Sequence, residues 1–481
     1  MFRRLLAPVV ILTVALLGAP SATAGHGGPH LLDPGLGLRT VVGGLVTPTT
    51  MAFIGDGRFL VLEKNTGRVQ HVRDGAVTGT ALDLAVNSAS ERGLLGVALH
   101  PDFPADPGVY LFWTESTSGS DTGVLSQTTL LGNRVDRFIW DGSTLTFDRN
   151  IIRLRAIQQD QGQPERGNHN GGVLAFGPDG KLHVFVGDVG RRGWLQNLPC
   201  GPTPDCPGPT VADDQFGGPE PDDAHLTGAI LRLNPDGTTP TDNPFFDAGA
   251  AMGGEVGANV QKVFAYGVRN SFGMAFDPMS GNLWEQENGD DTFTELNRVE
   301  PGMNSGWVQV MGPIHRVGQY REIETTFGGR NLQQVRWGPE NIAATPEEAR
   351  ERLFMLPGAH FSDPEFSWVY EVAPAGIGFV EGRGLGPQFE GDLFVGAARP
   401  TLQGGHLFRF NLTGNRRKIA VDDPAVEDRV ADNQDKFDIT ESESFLIGTD
   451  FGIATDVETG PNGNLFIVSL THGAVYEIFR R

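Results

Sequence analysis

The segment Gly167-Asn168-His169-Asn170-Gly171-Gly172 places one histidine in a glycine-bounded loop, immediately before a predicted strand. Histidine has a usual pKa close to neutral pH, so His169 could take a proton from a substrate hydroxyl as a general base. A lone histidine in a loop is more often merely solvated. The segment therefore gives a candidate base, with solvation as the open alternative.

A second segment, Tyr266-Gly267-Val268-Arg269-Asn270, also leads into a predicted strand. The planar guanidinium of Arg269 could contact an oxyanion or a carboxylate, and the Asn270 amide could donate beside it. The alternative is an arginine that packs between sheets and donates to backbone carbonyls. The residues alone leave both interpretations open.

Oxygen-bearing side chains crowd a third segment. Seven of them fall within thirteen residues: Glu285, Glu287, Asn288, Asp290, Asp291, Glu295 and Asn297. Calcium takes about six to eight oxygen ligands from carboxylates, amides and carbonyls, so the segment suits calcium. A solvated acidic turn is the alternative.

Other common chemistries lack their motifs. The sequence has no Gly-x-Ser-x-Gly nucleophile elbow, no Walker loop, no Cys-x-x-Cys pair and no GxGxxG after a strand. Hydride transfer to a nicotinamide cofactor is therefore unsupported.

The composition predicts the kind of scaffold that positions these segments. Among 481 residues, 59 acidic and 37 basic side chains give a formal net charge of -22, which opposes binding to nucleic acid or an anionic membrane. The chain has 66 glycines and only 20% charged residues. Because glycine costs roughly 1 kcal/mol in a helix interior, this composition favours turn-rich β structure.

The N-terminus predicts export. Phe2-Arg3-Arg4 is a short basic start, Leu5 to Leu17 is almost purely apolar, and Ala22-Thr23-Ala24 is a small-residue cleavage site. Residues 1–24 are therefore interpreted as a signal peptide, because the apolar run is shorter than the ~20 residues that span a bilayer. Few lysines relative to arginines suggest a bacterial protein. We expect it to be secreted or in the cell envelope, without a membrane span after cleavage.

Two cysteines, Cys200 and Cys206, bracket the turn-forming sequence GPTPD. Export places them in an oxidising compartment, where a local disulfide is the expected state. Such a short ring would contribute about 2 kcal/mol by the chain-entropy estimate.

A turn pattern recurs along the whole chain: apolar residues, a Pro or Asp, a glycine turn, then alternating apolar residues. Its six instances lie around Gly57, Gly108, Gly180, Gly281, Gly391 and Gly463. Asp-Gly and Asn-Gly between apolar runs are strong hairpin signals, and repeated four-stranded sheets around an axis make a β-propeller. The sequence thus predicts an all-β, six-bladed β-propeller over residues 40–481 as a single domain.

Long insertions between strands are predicted at 191–226, 311–362 and 420–446. The best helix signal is Pro346–Leu353, with Thr345 as its N-cap.

Taken in order, the motifs ERGLLGVALHPDF, HNGGVLAFGPDGKLHVFVGD, GAILRLNPDGTTPTDNPF, YGVRNSFGMAFDP, TELNRVEPGMNSGW and LFVGA resemble the soluble quinoprotein glucose/sorbosone dehydrogenase family. The resemblance spans roughly Thr40 to Arg481. It implies a six-bladed propeller that binds pyrroloquinoline quinone (PQQ) and calcium. It also implies oxidation of the anomeric hydroxyl of an aldose sugar or oligosaccharide, with electrons passed to an external acceptor.

The resemblance also implies roles for individual residues. His169 matches the catalytic base, and Arg269 and Asn270 match the pair that holds the reactive quinone oxygens. Glu91 falls near a polar neighbour of the cofactor, and Asn168 falls where an acidic partner of the base often sits. The remaining assignments are Arg399, in place of a lysine that meets a cofactor carboxylate, and Glu287, in the segment associated with calcium.

One departure from the family lies near the C-terminus. Where members often carry Arg-x-Arg-Asp-Val, this chain has Ile453-Ala454-Thr455-Asp456-Val457. Both cations that would meet cofactor carboxylates are missing, and Arg166, Arg191, Arg192 and Arg383 are the candidate replacements. The two functional predictions are therefore an exported PQQ-dependent sugar dehydrogenase and, alternatively, a quinone-free propeller that binds carbohydrate or protein.

Overall fold

The computed structural model describes residues 28–157, 166–190, 193–197, 226–326, 342–398 and 404–481. The predicted signal peptide, Cys200 and Cys206, and Arg399 lie outside these residues. So do Arg191 and Arg192.

Short antiparallel strands dominate the described chain. Their bounds in chain order are β1 (His30–Leu31), β2 (Leu36–Val42), β3 (Pro48–Gly55), β4 (Arg58–Glu63), β5 (Arg68–Arg73), β6 (Ala76–Asp83), β7 (Leu94–Leu99), β8 (Gly108–Thr114), β9 (Asn133–Trp140), β10 (Leu145–Leu154), β11 (Leu174–Phe176), β12 (Leu182–Val186), β13 (Ala229–Leu233), β14 (Val263–Tyr266) and β15 (Met274–Phe276). The second half adds β16 (Leu283–Glu287), β17 (Thr292–Val299), β18 (Met303–Asn304), β19 (His360–Phe361), β20 (Phe366–Tyr370), β21 (Pro374–Phe379), β22 (Leu393–Ala397), β23 (His406–Phe410), β24 (Leu412–Thr413), β25 (Lys418–Ile419), β26 (Val430–Ala431), β27 (Leu446–Thr449), β28 (Ala454–Thr459), β29 (Leu465–Ser469) and β30 (Ala474–Arg480).

These strands form six sheets of four to six strands and one two-stranded ribbon, β24 with β25. Sheet 1 is β3–β6, sheet 2 is β7–β10, and sheet 3 is β11–β14 extended by β18 and β19. Sheet 4 is β15, β16, β17, β20 and β26, and sheet 5 is β21, β22, β23, β27 and β1. Sheet 6 is β28–β30 completed by β2.

The first strands of the sheets contact one another in a closed ring, in the order β3, β7, β11, β15, β21, β28 and back to β3. The predicted all-β propeller is thereby confirmed. The predicted count of six blades needs correction to five continuous blades and one composite sheet. Five sheets take their four core strands from one stretch of chain each, three of these carry extra strands, and the remaining sheet is a composite of both ends of the chain.

The composite sheet closes the ring. Strand β2 pairs antiparallel with β30, from Leu36 opposite Arg480 to Val42 opposite Val475. Strand β1 similarly joins β27. The folded region therefore begins before the predicted boundary at Thr40, because both N-terminal strands supply backbone hydrogen bonds to C-terminal sheets.

The marker glycines lie in, or at the edge of, the turn between the first and second strand of each sheet. Gly57 and Gly180, for example, have φ values of 62° and 71°. Residues that have a Cβ rarely adopt such positive values, whereas glycine does so readily. The turn pattern therefore located one hairpin in every sheet.

The hydrophobic core is divided into layers between neighbouring sheets. One cluster joins sheets 1 and 6 through Phe59, Val61, Phe466 and Val468, and another joins sheets 1 and 2. Because both faces of a middle strand are covered, strands such as β12 and β29 are buried along their whole length.

Helices occupy the connections. They are α1 (Phe246–Met252), α2 (Gly254–Val260), α3 (Val317–Thr326) and α4 (Pro346–Arg352), with short 3-10 turns at Trp194–Gln196, Ile314–Arg316, Pro424–Val426 and Glu443–Phe445. Helix α4 is the predicted one, and Thr345 Oγ1 accepts from the Glu348 amide at 3.2 Å as its N-cap. No helix within the described ranges is both long and apolar enough to cross a membrane.

Candidate active site

The ring of first strands encloses an axial cavity of about 280 Å³. Its lining includes Glu91 before β7, Gly171 and Gly172 before β11, and Phe272 before β15. Gly172 has a φ of 103°, and a Cβ there would lie 2.7 Å from Leu95 Cβ. Small residues at this point allow the strands to approach closely around the axis.

His169 is held beside this cavity by a buried carboxylate. Its Nδ1 lies 2.7 Å from Asp188 Oδ1, and both side chains are buried. Because an ionised carboxylate can only accept, Nδ1 carries the proton and Nε2 is the nitrogen that can receive one. Asp188 follows β12, so two adjacent loops of sheet 3 build the pair.

The acidic partner of the base therefore comes from a different position than the resemblance implied. Asn168 occupies the family position, but Asp188 supplies the carboxylate that contacts the imidazole. A negatively charged partner stabilises the protonated ring, which a neutral amide could not do as well.

Glu91 links the two candidate catalytic segments. Its Oε2 accepts from the His169 backbone amide at 2.6 Å and from Asn270 Nδ2 at 3.1 Å. One carboxylate thus sets the position of the His169 backbone and of the Asn270 side chain, at the margin of the cavity that Glu91 also lines.

Arg269 is a buried cation with a buried counter-charge. Its Nη2 donates to Asp290 Oδ1 at 2.9 Å, and its Nη1 donates to the Asn288 carbonyl at 3.0 Å. Burial would lower the pKa of Arg269, but Asp290 and Asp188 raise it above its usual value. The guanidinium therefore stays charged.

Trp307 connects the two charged pairs. Its indole N–H donates to Asp188 Oδ2 at 2.9 Å, while the Arg269 guanidinium lies 5.5 Å from the ring centroid. A fully buried tryptophan in this position fixes the spacing between His169–Asp188 and Arg269–Asp290. We call these two pairs, with Glu91 and Asn270, the catalytic wall.

The acidic segment of sheet 4 is not a solvated turn, because it forms buried strands. Glu287 stands directly opposite Glu295 in the β16–β17 ladder, with Glu285 on the same strand as Glu287. Burial and the neighbouring carboxyls raise the pKa of Glu287 well above its usual value, and burial raises that of Glu285 to about 8.

Both carboxylate oxygens of Glu287 accept hydrogen bonds from other residues of the protein. Its Oε1 accepts from the Arg269 backbone amide at 2.5 Å, and its Oε2 accepts from Ser305 Oγ at 3.3 Å. Within the described ranges, no group of three or more His, Cys, Asp or Glu side chains is arranged to hold a metal ion. Calcium at Glu287 therefore stays a prediction, and the described geometry gives the carboxylate a positioning role instead.

The opposite side of the cavity is formed by β28 and β3, together with Lys64. We call the cavity residues of β28 and β3 the closing wall; they are Thr49, Thr50, Thr455, Asp456 and Glu458, with Ile453 immediately before β28. Ile453 and Thr455, which replace the family arginines, do face the cavity. Asp456 Oδ2 accepts from Thr50 Oγ1 and from the Met51 amide, each at 2.8 Å, so it ties the last sheet to the first.

The arginines that could replace the two missing family arginines lie in different surroundings. Arg383 pairs with Glu390 at 2.7 Å on the exposed surface and takes no part in the cavity. Arg166 is close enough to Asp188 and Asp290 for both to influence its pKa, which burial lowers. Within the described cavity lining, Lys64 is the sole cationic side chain.

Asp188 and Lys64 escaped the sequence reasoning, and Asp290 was recognised there only as a possible calcium ligand. Asp188 stands in the strand-ending sequence VFVGD, a signal that could have drawn attention to it. Asp290 lay inside the acidic segment but could not be matched to Arg269 without tertiary contacts. Nothing in the local sequence marks Lys64.

The fold and this site define a propeller protein with a buried histidine–aspartate pair and a buried arginine near its axis. The profile of the Glucose / Sorbosone dehydrogenase family matches residues 45–340. Because this is more than half of the chain, the protein belongs to that family, the PQQ-dependent glucose/sorbosone dehydrogenases.

Three relatives agree with this membership. Quinoprotein glucose dehydrogenase B of Acinetobacter calcoaceticus is 30% identical over 279 residues, which cover 57% of this chain and 52% of that protein. The aldose sugar dehydrogenase YliI of Escherichia coli strain K12 is 25% identical over 467 residues, 96% of this chain and 94% of the relative. The PQQ-bound form of the aldose sugar dehydrogenase from Streptomyces coelicolor superposes with a TM-score of 0.54 and 25% identity, covering 96% of this chain and 100% of that one.

Proposed function

We propose that the protein is an exported dehydrogenase that oxidises the anomeric hydroxyl of an aldose sugar or oligosaccharide, with PQQ as its cofactor. The observation that carries the proposal is the buried His169–Asp188 pair, joined through Glu91 to Asn270 and lying beside the axial cavity. Membership of the family and similarity to named sugar dehydrogenases support the same reaction class.

His169 acts as the general base. With Nδ1 bound to Asp188, Nε2 receives the proton of the sugar hydroxyl, and the Asp188 carboxylate stabilises the imidazolium that results. Glu91 holds the His169 backbone at 2.6 Å, which fixes the ring position before substrate arrives.

Arg269 and Asn270 are suited to hold the reactive oxygens of the quinone. Arg269 Nε is a buried donor that has no hydrogen-bond partner among the described residues, and Asn270 Nδ2, which donates to Glu91, carries a second N–H. Buried polar atoms normally find a partner, so a polar ligand or water fits here. When bound, PQQ supplies the two-electron acceptor for the hydride that leaves the sugar carbon.

The sugar must approach this wall with its anomeric hydroxyl toward His169. Glycines and the Phe272 side chain line the nearby cavity, which leaves space for a ring-shaped ligand. Electrons then pass to an external acceptor, for which the net charge of -22 favours a cationic or neutral partner.

The first experiment is a titration of residues 25–481 with PQQ, with and without calcium, followed by aldose-dependent dye reduction. We expect saturable binding and turnover. Binding of sugar without dye reduction would instead support the quinone-free binding protein, and absence of PQQ binding would contradict the proposal.

A pair of histidine variants identifies the base. His169→Ala should lower kcat by about 10²- to 10⁴-fold, which is what a positioned general base contributes. His360→Ala is the matched control, because its side chain on β19 is half-exposed and lies outside the cavity lining. Equal turnover in both variants would remove His169 from the mechanism.

Calcium, export and the disulfide need tests of their own. If calcium orients the cofactor, chelation lowers both the melting temperature and the affinity for PQQ. Unchanged values would end the calcium hypothesis.

N-terminal sequencing of the exported protein tests cleavage after Ala24, and mass spectrometry without reductant tests the Cys200–Cys206 bond.

A further inference from the structure

Lys64 follows directly after β4 and is among the residues that line the axial cavity. Its Nζ lies 3.0 Å from the Ser90 carbonyl, 3.2 Å from the Ser88 carbonyl and 3.3 Å from Asn65 Oδ1. All three acceptors are neutral, and the described residues give Lys64 no ion pair. Lys64 is half-buried, and removing an ammonium group even partly from water without a counter-ion is costly.

Burial lowers the pKa of Lys64 to about 8, although the carboxylate of Glu91 acts in the opposite direction. The other titratable groups of the described cavity lining are Asp456 and Glu458. Asp456 accepts three hydrogen bonds from Thr50, Met51 and Val457. Burial raises the pKa of Asp456 to about 6, and burial together with Asp456 raises that of Glu458 well above its usual value.

The cavity therefore offers an anion one fixed positive charge, at Lys64. The closing wall offers hydroxyl and carboxyl groups and the side chain of Ile453 instead. A carboxylate that enters beside Lys64 can replace the longest contact, that to Asn65, and form a charge-assisted hydrogen bond with the ammonium.

We propose that Lys64 is the anchor for a carboxylate group of the cofactor in the axial cavity, a role for which the closing wall of this chain has no cation. This inference rests on the proposed function, since it is the PQQ cofactor that brings carboxylates to the cavity. Lys64 thereby sets the affinity for the cofactor, while the catalytic wall sets the rate of the reaction.

Two consequences separate this role from a merely structural one. Loss of the charge weakens PQQ binding by about 10- to 100-fold, which is the range for one hydrogen bond to a charged group. A bound carboxylate also stabilises the protonated lysine, so binding near pH 9 takes up a proton from solvent.

The test compares wild type with Lys64→Met, Lys64→Arg and the control Lys418→Met, which alters an exposed lysine on β25. Titration calorimetry at pH 9, in two buffers of different ionisation enthalpy, gives both the Kd and the number of protons bound. Lys64→Met should weaken PQQ and abolish proton uptake. Lys64→Arg should restore affinity, and Lys418→Met should match wild type in both readouts.

Benzene-1,3,5-tricarboxylate, which has carboxylates but no quinone, is the second probe. If its binding also depends on Lys64 while neither PQQ binding nor sugar oxidation is detected, the proposed function fails and an anion site at Lys64 stands. If wild type oxidises sugar with PQQ but takes up no proton, and Lys64→Met binds PQQ normally, the anchor is overturned and the function stands. Lys64→Arg stays charged at pH 9, so it should bind PQQ without proton uptake. That result separates Lys64 from Asp456 and Glu458 even if Lys64→Met misfolds.

Discussion

The catalytic wall reaches the axial cavity through Glu91, whereas the closing wall lines it directly, and the two walls differ in how their charged groups are paired. In the catalytic wall each cation or potential cation has a buried anion in contact: His169 has Asp188, and Arg269 has Asp290. In the closing wall Asp456 is satisfied by a hydroxyl and backbone amides alone, and its pKa rises to about 6.

Buried ion pairs and a carboxylate without a cationic partner therefore lie on different sheets around the axis. Buried ion pairs need close, well-aligned partners, and so they make the catalytic wall rigid. The chain keeps the histidine and the arginine of the family segments and differs from the family pattern at Ile453 and Thr455 on the closing wall.

The largest expected effect comes from Asp188→Asn. An amide that donates to Nδ1 would place the ring proton on Nε2, so His169 could no longer accept one there. We expect kcat to fall about 10²- to 10⁴-fold with little change in PQQ affinity, as measured by dye reduction and titration. Asp179→Asn is the control, because Asp179 pairs with Arg232 in a turn of the same sheet. Full activity in Asp188→Asn would show that the pair is structural only.

Next in size is Asp290→Ala, which leaves the Arg269 guanidinium buried without its contacting anion. Breaking a buried pair in this way costs about 3–5 kcal/mol of unfolding free energy. The matched control is Asp428→Ala, since Asp428 meets Arg316 at 2.7 Å with about half of its side chain exposed. That pair should be worth at most about 1 kcal/mol. Chemical denaturation compares the two, and similar losses would erase the proposed contrast between buried and exposed pairs.

A smaller effect is expected from the pH dependence of the closing wall. Asp456 has a pKa of about 6 in the fold against 3.8 when unfolded, so the folded state binds its proton more tightly. Its contribution to stability is therefore present below about pH 4 and is lost as pH rises through 6. Asp456→Asn should flatten that decline in the unfolding free energy, whereas Asp74→Asn, at an exposed position, should not. Parallel curves for wild type and Asp456→Asn would contradict this assignment.

The smallest effect should come from a position outside both walls. Thr345→Ala removes the N-cap of α4 and should cost about 1 kcal/mol of unfolding free energy, with kcat and PQQ affinity unchanged. Urea denaturation measures the first quantity, and dye reduction and PQQ titration measure the others. A change in turnover would mean that the insertion carrying α4 communicates with the catalytic wall.

The sequence predicted those parts that depend on short-range pattern. Alternating apolar residues around glycine turns located one hairpin in each sheet, because strand periodicity and turn chemistry are local properties. The helix at Pro346 followed in the same way from its cap. The extra strands of sheets 3, 4 and 5 were missed, since two-residue strands such as β18 and β26 have no periodicity to detect.

The candidate site residues also divide into those that a local sequence pattern marks and those that only tertiary contacts identify. His169, Arg269 and Asn270 stood in recognisable segments. The structure joins His169 and Asn270 through Glu91, and it holds the Arg269 backbone amide at Glu287. The acidic segment of sheet 4 carried an ambiguous signal. Only its position between covered sheets shows that Glu287 and Glu295 face each other away from solvent.

The sequence by itself determined that this chain is a β-propeller of the glucose/sorbosone dehydrogenase family. It also identified the two candidate segments that carry His169 and Arg269. The tertiary structure decided the pairings: Asp188 with His169, Asp290 with Arg269, and Lys64 within the cavity. The physical reason is distance along the chain. Hairpins form between neighbours in sequence, whereas a buried charge takes whichever partner the closed ring of sheets brings within hydrogen-bond reach.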